Sequence, residues 1–137
     1  MPLDPVRAAD TRLWLSKTDQ DLAAATLLLE PGREMPGIAA FHCQQAAEKA
    51  LKAFLYWHDV PFRKTHAIEE VGDDCVRIDP DLKSAVDAVL DLTPYAWRFR
   101  YPGDASEPDA GEVRTALEAA RNVRDAVSKR LPPDAVP

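Results

Sequence analysis

Residue types that hold metals or cross-link small folds are scarce in this chain. Among its 137 residues there are two cysteines and three histidines, too few for a zinc or iron–sulfur pattern. Because we find no secretory signal, we expect Cys43 and Cys75 to be reduced thiols. Phosphate-binding loops and nucleophile motifs are also missing, so we expect no metal and no cofactor.

Long apolar runs and an excess of basic residues are missing as well. No stretch approaches the roughly 18 apolar residues that a membrane span needs, and Met1–Pro5 lacks the parts of a signal peptide. We therefore expect a cytoplasmic protein without a membrane partner. The 17 basic residues are outnumbered by 23 acidic ones, which gives a net charge of −6. That balance argues against broad binding of nucleic acids but permits a small basic pocket.

The periodicity of the apolar residues is helical throughout. No alternating run of β-branched residues occurs, whereas apolar residues recur at spacings of three and four. The pattern predicts an all-α fold, an up-and-down bundle of four main helices plus a short fifth helix. A chain of 137 residues favours one domain. The predicted organisation is a disordered or frayed N-terminus over residues 1–9, a helical bundle over 10–131 and a C-terminal tail over 132–137.

Capping residues and helix breakers place the predicted helices. The first is expected to start at a cap on Asp10 or Thr11 and to end near Glu30, and the last to run from Glu112 to Leu131. The others are expected from Ile38 to Trp57, from His66 to Val76, and after a cap at Asp79.

The second predicted helix has two different faces. The apolar face contains Ala40, Cys43, Ala47, Ala50, Leu51 and Phe54. The polar face, here called the polar stripe, contains His42, Gln45, Lys49, Lys52 and Tyr56. Glu48 is placed to pair with Lys52, four residues later. The polar stripe is either a solvated surface or a buried or dimer-facing surface that presents Lys49 and Lys52 to an anion.

A basic turn, Val60–His66, follows this helix. Thr65 is predicted to cap the third helix, which then carries Glu69 and Glu70 in its first turns, where the helix dipole favours acids. His66 is either a hydrogen-bonded structural imidazole or part of a functional site.

An aromatic segment, Tyr95–Tyr101, carries two arginines. It is interpreted as core plus an interface edge, because aromatic side chains dominate core energetics. The alternative is a platform that stacks bases while Arg98 and Arg100 contact phosphates. Two positions apart on a helix, these arginines would diverge and would not serve one ligand equally.

Three motifs, in this order, resemble those of one known family. Phe41-x-x-x-Gln45-Ala46-Ala47-Glu48-Lys49-Ala50-Leu51-Lys52-Ala53 is followed by Lys64-Thr65-His66 and then by Arg100-Tyr101-Pro102. The combination resembles the HEPN domain family, whose name abbreviates "higher eukaryotes and prokaryotes nucleotide-binding". The resemblance extends from about Trp14 to Leu131.

The resemblance implies a helical bundle that dimerises, with functional groups gathered near a cleft between subunits. Many members of the family are metal-independent ribonucleases that carry an Arg, four to six arbitrary residues and then a His. That pair suits proton transfer and stabilisation of phosphorane-like charge. Here neither Arg98 nor Arg100 is followed by a His at that spacing, and Arg63 lies too close to His66. We therefore expect no catalytic residues and no nuclease activity.

The resemblance instead implies the non-nuclease branch, whose members are often encoded beside a minimal nucleotidyltransferase. Together with Arg98 of the aromatic segment, the matching motif positions supply the candidate ligand-binding residues: Lys49, Lys52, His66, Arg98, Arg100 and Tyr101. We expect a homodimer that binds a nucleotide or RNA and works with a nucleotidyltransferase or antitoxin-type partner. The alternative is a metal-independent ribonuclease toxin with a rearranged Arg/His site built from His66 and Arg98 or Arg100.

Overall fold

The computed structural model describes residues 4–103 and 106–137, and it confirms the all-α prediction. Five α-helices are present in this part of the chain: α1 Pro5–Leu28, α2 Pro36–Trp57, α3 Ile68–Ile78, α4 Lys83–Asp87 and α5 Ala110–Ser128. Short 3-10 helices cover Pro80–Leu82, Leu90–Ala96 and Pro133–Ala135. No helix in the described ranges is long and apolar enough to cross a bilayer.

The start of α1 differs from the prediction. The helix begins at Pro5, with Asp4 as its N-cap; the Asp4 side chain accepts hydrogen bonds from the backbone N–H groups of Val6 and Arg7. Asp10 and Thr11 therefore lie inside the helix, and neither of them is the cap. Residues 5–9 were expected to be frayed but are helical. Asp4 caps the helix with its side chain, and Pro5 suits the first helical position, so the helix starts earlier than Asp10 or Thr11. Residues 1–3 lie outside the described ranges.

The second half of the chain also differs in its boundaries. The fourth predicted helix is only the short α4, because the segment around Pro94 forms a 3-10 helix instead. Proline has no N–H to donate and clashes with the carbonyl of the preceding turn, which disfavours a continuous α-helix. Asp79 does act as a cap, accepting a hydrogen bond from the N–H of Asp81. Helix α5 ends at Ser128, three residues before the predicted end at Leu131.

Helix α2 lies at the centre of the bundle and packs against α1, α3, α5 and the segment 90–96. The predicted apolar face is buried in full, and so are all residues from 43 to 48 and from 50 to 55. Many of these residues are alanines, which allow neighbouring helices to approach closely. Because α2 is enclosed on several sides, its polar side chains must find partners inside the protein.

Candidate functional site

The polar stripe of α2 is divided between two clusters of side chains. The first cluster faces α1 and centres on Asp21, which is 8% exposed. Its Oδ2 lies 2.7 Å from Lys49 Nζ and its Oδ1 lies 2.9 Å from His42 Nδ1. Further along the same two helices, Tyr56 of α2 donates a hydrogen bond of 2.8 Å to Asp10 of α1. Lys49 is thus paired with a buried carboxylate of α1.

The second cluster lies on the opposite flank of the polar stripe and centres on Glu48, which is 4% exposed. Glu48 Oε1 lies 3.1 Å from Gln44 Nε2 and 2.8 Å from His66 Nδ1. Glu48 Oε2 lies 3.0 Å from Lys52 Nζ, which confirms the predicted i, i+4 pair. One carboxylate therefore accepts from three donors, two on its own helix and one from the turn after α2.

Lys52 is 6% exposed, so the interpretation of the polar stripe as a solvated surface is wrong at this position. Its Nζ also donates to the carbonyl of Thr65 at 2.9 Å, and it lies 5.5 Å from the centre of the Phe62 ring. Lys52 holds the turn Val60–His66 against α2. A buried ammonium is stable only with such partners, and here they are all supplied by the protein.

The turn brings His66 to the protein surface. Its side chain is 60% exposed, although Nδ1 contacts the buried Glu48. Nε2 has no hydrogen-bond partner in the described part of the chain, and it is the nitrogen left for a ligand. The prediction that Thr65 caps α3 is wrong. Ala67 is the N-cap of α3, and Thr65 Oγ1 accepts from the Ala67 N–H at 3.0 Å, within the turn itself.

Arg100 reaches the same face of α2 from the aromatic segment. Its guanidinium lies 4.3 Å from the centre of the Phe41 ring, and Nη1 donates to the carbonyl of Ala96 at 3.1 Å. Phe41, Gln44 and Glu48 are spaced three and four residues apart, so they follow one line along the helix. The rise from Phe41 to Glu48 is about 10 Å. Arg100 and His66 are therefore anchored to one α2 face, about two helical turns apart.

The aromatic segment is neither wholly core nor wholly surface. Tyr95 is buried, whereas Trp97 and Tyr101 are 55% and 64% exposed. Phe99 has a φ of 68°, unusual for a bulky residue, and its ring lies 5.9 Å from that of Tyr95. The Arg98 guanidinium lies 5.9 Å from the Phe99 ring. Arg98 lies beside the Phe99 ring and Arg100 beside the Phe41 ring, but residues 97–100 form a turn and a bend, so the helical spacing on which their predicted divergence relied does not apply here.

The loop between the aromatic segment and α5 contacts the start of α2 at Gly37. Glu107 Oε2 accepts a hydrogen bond of 2.7 Å from the Gly37 N–H. A Cβ at residue 37 would lie 2.5 Å from that oxygen and 3.0 Å from Phe99 Cβ. Only glycine leaves room for this contact. Residues 104 and 105 of this loop lie outside the described residues.

Glu48 and Phe41 are the residues whose roles the sequence did not reveal. Glu48 was predicted only as a pairing partner of Lys52, and Phe41 only as a motif position. A signal was present, since Glu48 is the one acid in the otherwise uncharged or basic stretch from residue 38 to 57. The fact that it is buried could not be read from helical periodicity, because that depends on what packs against α2.

The sequence model of the HEPN domain matches residues 11–131 of the chain. The chain belongs to the HEPN domain family. A search of curated protein sequences finds no match.

Two solved structures are similar to this HEPN protein. TT1696 from Thermus thermophilus has a TM-score of 0.71 and 26% sequence identity, over 90% of this chain and 99% of that one. ST0689, described as an archaeal HEPN homologue, has a TM-score of 0.66 and 21% identity, over 88% and 96% of the two chains. The second likeness supports the fold alone.

Proposed function

We propose that this HEPN protein is a non-catalytic module that binds a nucleotide or another polyanion and works as a dimer with a nucleotidyltransferase or antitoxin-type partner. The observation that carries the proposal is the stacking of Arg100 on Phe41, on the α2 face that also anchors His66. This places a planar cation and an exposed imidazole along one line of the molecular surface.

The chemistry of these groups suits a phosphate-bearing ligand. Arg100 uses one guanidinium nitrogen for Ala96, and its planar shape favours paired hydrogen bonds to phosphate oxygens. Glu48 contacts His66 through Nδ1, which holds the imidazole in place and leaves Nε2 as the ring nitrogen available to a ligand. The exposed Trp97 of the same segment offers a ring on which a base can stack, and the Tyr101 ring lies 5.8 Å from the Arg100 guanidinium.

The two lysines of α2 are left out of the proposed ligand contacts. Lys49 is paired with Asp21 and Lys52 with Glu48, and both carboxylates are buried. To bind either lysine, an anionic ligand would have to displace the buried carboxylate that is already paired with its ammonium group. Arg98 remains a candidate, because its guanidinium lies beside the Phe99 ring and forms no ion pair with a carboxylate among the described residues.

The test is thermal unfolding of the purified protein with a panel of nucleotides. A ligand at about 100 times its dissociation constant should add about 2.7 kcal/mol to the free energy of unfolding. We expect Arg100→Ala to abolish this gain. Arg77→Ala is the matched control, since Arg77 is an exposed arginine on α3 that pairs with Asp74. Equal ligand gains in both variants, or no gain in the wild type, would contradict the proposed site.

The dimer is tested separately by size-exclusion chromatography with light scattering. We expect the mass of a dimer at micromolar concentration. Arg100→Ala should leave that mass unchanged if Arg100 contacts the ligand and not the second subunit. A monomer at high protein concentration would remove the dimer from the proposal while leaving the nucleotide assay to decide the site.

A second candidate function is a metal-independent ribonuclease with a rearranged site, and it is favoured by the contact between Glu48 and His66. A carboxylate 2.8 Å from Nδ1 fixes the tautomer and orientation of a neutral imidazole, which leaves Nε2 as a base for a 2′-hydroxyl. Arg100 is anchored about two helical turns away along α2, so it would have to reach the same phosphate to stabilise the charge that develops there.

This candidate is tested by incubating the protein with single-stranded RNA in the presence of EDTA. Cleavage that is lost in His66→Ala and retained in His58→Ala would support it. His58 is also exposed, but it makes an edge-to-face contact with Phe54 and lies at the end of α2. Intact RNA after prolonged incubation with the wild type would exclude the ribonuclease and leave the binding module.

A further inference from the structure

Two side chains from the second half of the chain meet helix α2 at Gly37. The Gly37 N–H donates to Glu107 Oε2 at 2.7 Å. A Cβ on residue 37 would lie 2.5 Å from that oxygen and 3.0 Å from Phe99 Cβ. Both groups therefore occupy the space beside α2 that a side chain at this position would need. The contact of these three residues is here called the Gly37 junction.

Arg100 contacts α2 one helical turn beyond the Gly37 junction. Gly37 and Phe41 are four residues apart, so they lie on one face of the helix. The Arg100 guanidinium lies 4.3 Å from the centre of the Phe41 ring. Arg100 directly follows Phe99 in the chain, so their Cα atoms are about 3.8 Å apart. Moving Phe99 away from the junction therefore moves Arg100 away from Phe41.

Phe99 has a backbone conformation that needs support from its surroundings. Its φ of 68° is in the left-handed region, which costs a bulky residue free energy and persists only where neighbouring contacts hold it. Its ring lies 5.9 Å from the Tyr95 ring. Among the described residues from 99 to 108, none forms a backbone-to-backbone hydrogen bond with another described residue. Side-chain contacts such as the Gly37 junction therefore hold this segment in place.

Glu107 supports the segment without neutralising Arg100. Its carboxylate accepts from a backbone N–H in the first turn of α2, where the helix dipole favours a negative charge. The N-cap residue of α2, Met35, provides no side-chain hydrogen bond, so Glu107 supplies this contact from 70 positions away. Arg100 forms no ion pair with a carboxylate within residues 4–103 and 106–137, which leaves its guanidinium free of a counter-charge from that part of the chain.

We propose that Glu107 is a positioning residue for Arg100. Its hydrogen bond to Gly37 holds Phe99 at the junction and thereby keeps Arg100 on Phe41. An arginine that is already ordered loses less conformational entropy when it binds a phosphate than a mobile one does. The inference rests on the proposed function, in which Arg100 contacts the ligand, and it adds a residue that acts on the ligand only through Arg100.

The first test observes Arg100 without any ligand, by NMR spectroscopy of the full chain. Nε is bonded to the guanidinium carbon that lies over the Phe41 ring, so the ring current should shift its N–H signal. Arg100→Lys identifies the signal by removing it. We expect Glu107→Ala to return the signal to the position of a solvent-exposed arginine. Glu107→Gln should preserve it, because the amide oxygen still accepts from the Gly37 N–H.

Two further variants control this measurement. Glu118→Ala removes an exposed acid of α5 and should leave the Arg100 signal unchanged. Gly37→Ala places a methyl group where Glu107 and Phe99 meet, so it should reproduce the loss seen in Glu107→Ala. Alanine is the better helix former, so this loss cannot be assigned to a weaker α2. Circular dichroism checks that each variant folds.

The second test measures the dissociation constant of ATP by thermal unfolding at increasing ATP concentration. Glu107→Ala should weaken binding about fivefold, which corresponds to the loss of one ordinary hydrogen bond. Glu107→Gln and Glu118→Ala should bind ATP at least as tightly as the wild type, because each removes a negative charge and keeps the junction.

The two tests separate this inference from the proposed function. If the wild type does not bind ATP while the Arg100 signal is lost in Glu107→Ala and kept in Glu107→Gln, the positioning role stands and nucleotide binding fails. An Arg100 signal that is unshifted in the wild type, unchanged in Glu107→Ala or lost in Glu107→Gln overturns the positioning role. Weaker ATP binding in Glu107→Ala with an unchanged Arg100 signal also overturns it, since Glu107 would then contact the ligand itself.

Discussion

Glu48→Gln is the substitution that tests the buried cluster around Glu48 most directly. Glutamine keeps the volume and shape of glutamate, so no cavity is made. Both carboxylate oxygens of Glu48 accept from donors, Oε1 from Gln44 and His66 and Oε2 from Lys52. Whichever way the new amide is oriented, its nitrogen meets a donor, and the buried ammonium of Lys52 loses its counter-charge.

The expected loss follows from the burial of this pair. Removing one partner of a buried ion pair costs about 3–5 kcal/mol. Lys52 keeps the Thr65 carbonyl as an acceptor, so we expect the lower end, about 3 kcal/mol of the free energy of unfolding. For 137 residues the unfolding entropy is about 0.29 kcal/mol/K, so the melting temperature should fall by about 10 °C.

The assay is urea and thermal unfolding at pH 7 and fixed protein concentration, compared with Asp87→Asn. Lys83 and Asp87 also form an i, i+4 pair, at 2.7 Å and with the base before the acid, and their side chains are 67% and 49% exposed. Solvent screens such a pair, so the control should lose no more than about 0.5 kcal/mol. If Glu48→Gln and Asp87→Asn change stability equally, Glu48 does not hold a buried charge and our account of the turn Val60–His66 is wrong.

Two further predictions concern groups whose pKa is shifted. Burial raises the pKa of the Cys43 and Cys75 thiols to about 12, so native protein at pH 8 should resist iodoacetamide while urea-unfolded protein reacts at both, as mass spectrometry can show. Rapid labelling of native protein would contradict their burial. The hydrogen bond from Arg130 lowers the pKa of Asp79 from its ordinary value. A carboxyl group with a lowered pKa stabilises the fold above its unfolded pKa, and this stabilisation is lost as the pH falls through the folded pKa. In urea unfolding, Asp79→Asn should therefore be less stable than wild type at pH 7, and the difference should shrink as the pH falls below the ordinary pKa of an aspartate. A difference that is independent of pH would refute this.

The sequence by itself determined the helical class and the core of α2. Helix periodicity and loop breakers are local properties, and the apolar face from Ala40 to Phe54 is buried as predicted. The pairing of Glu48 with Lys52 was also predictable, because residues four apart on a helix are neighbours in any fold. The family motifs likewise depend only on the order of residues along the chain, and the match over residues 11–131 confirms that assignment.

Only the tertiary structure decided what the polar stripe does. Whether Lys49 and Lys52 face solvent depends on Asp21 of α1 and on the turn at Thr65, which lie 28 and 13 positions away in the sequence. The placement of Arg100 over Phe41 likewise depends on how the chain passes Gly37. Helical periodicity identifies a face of a helix but does not state what covers that face. Packing between distant segments supplied the partners that turned a basic stripe into two buried ion-pair clusters.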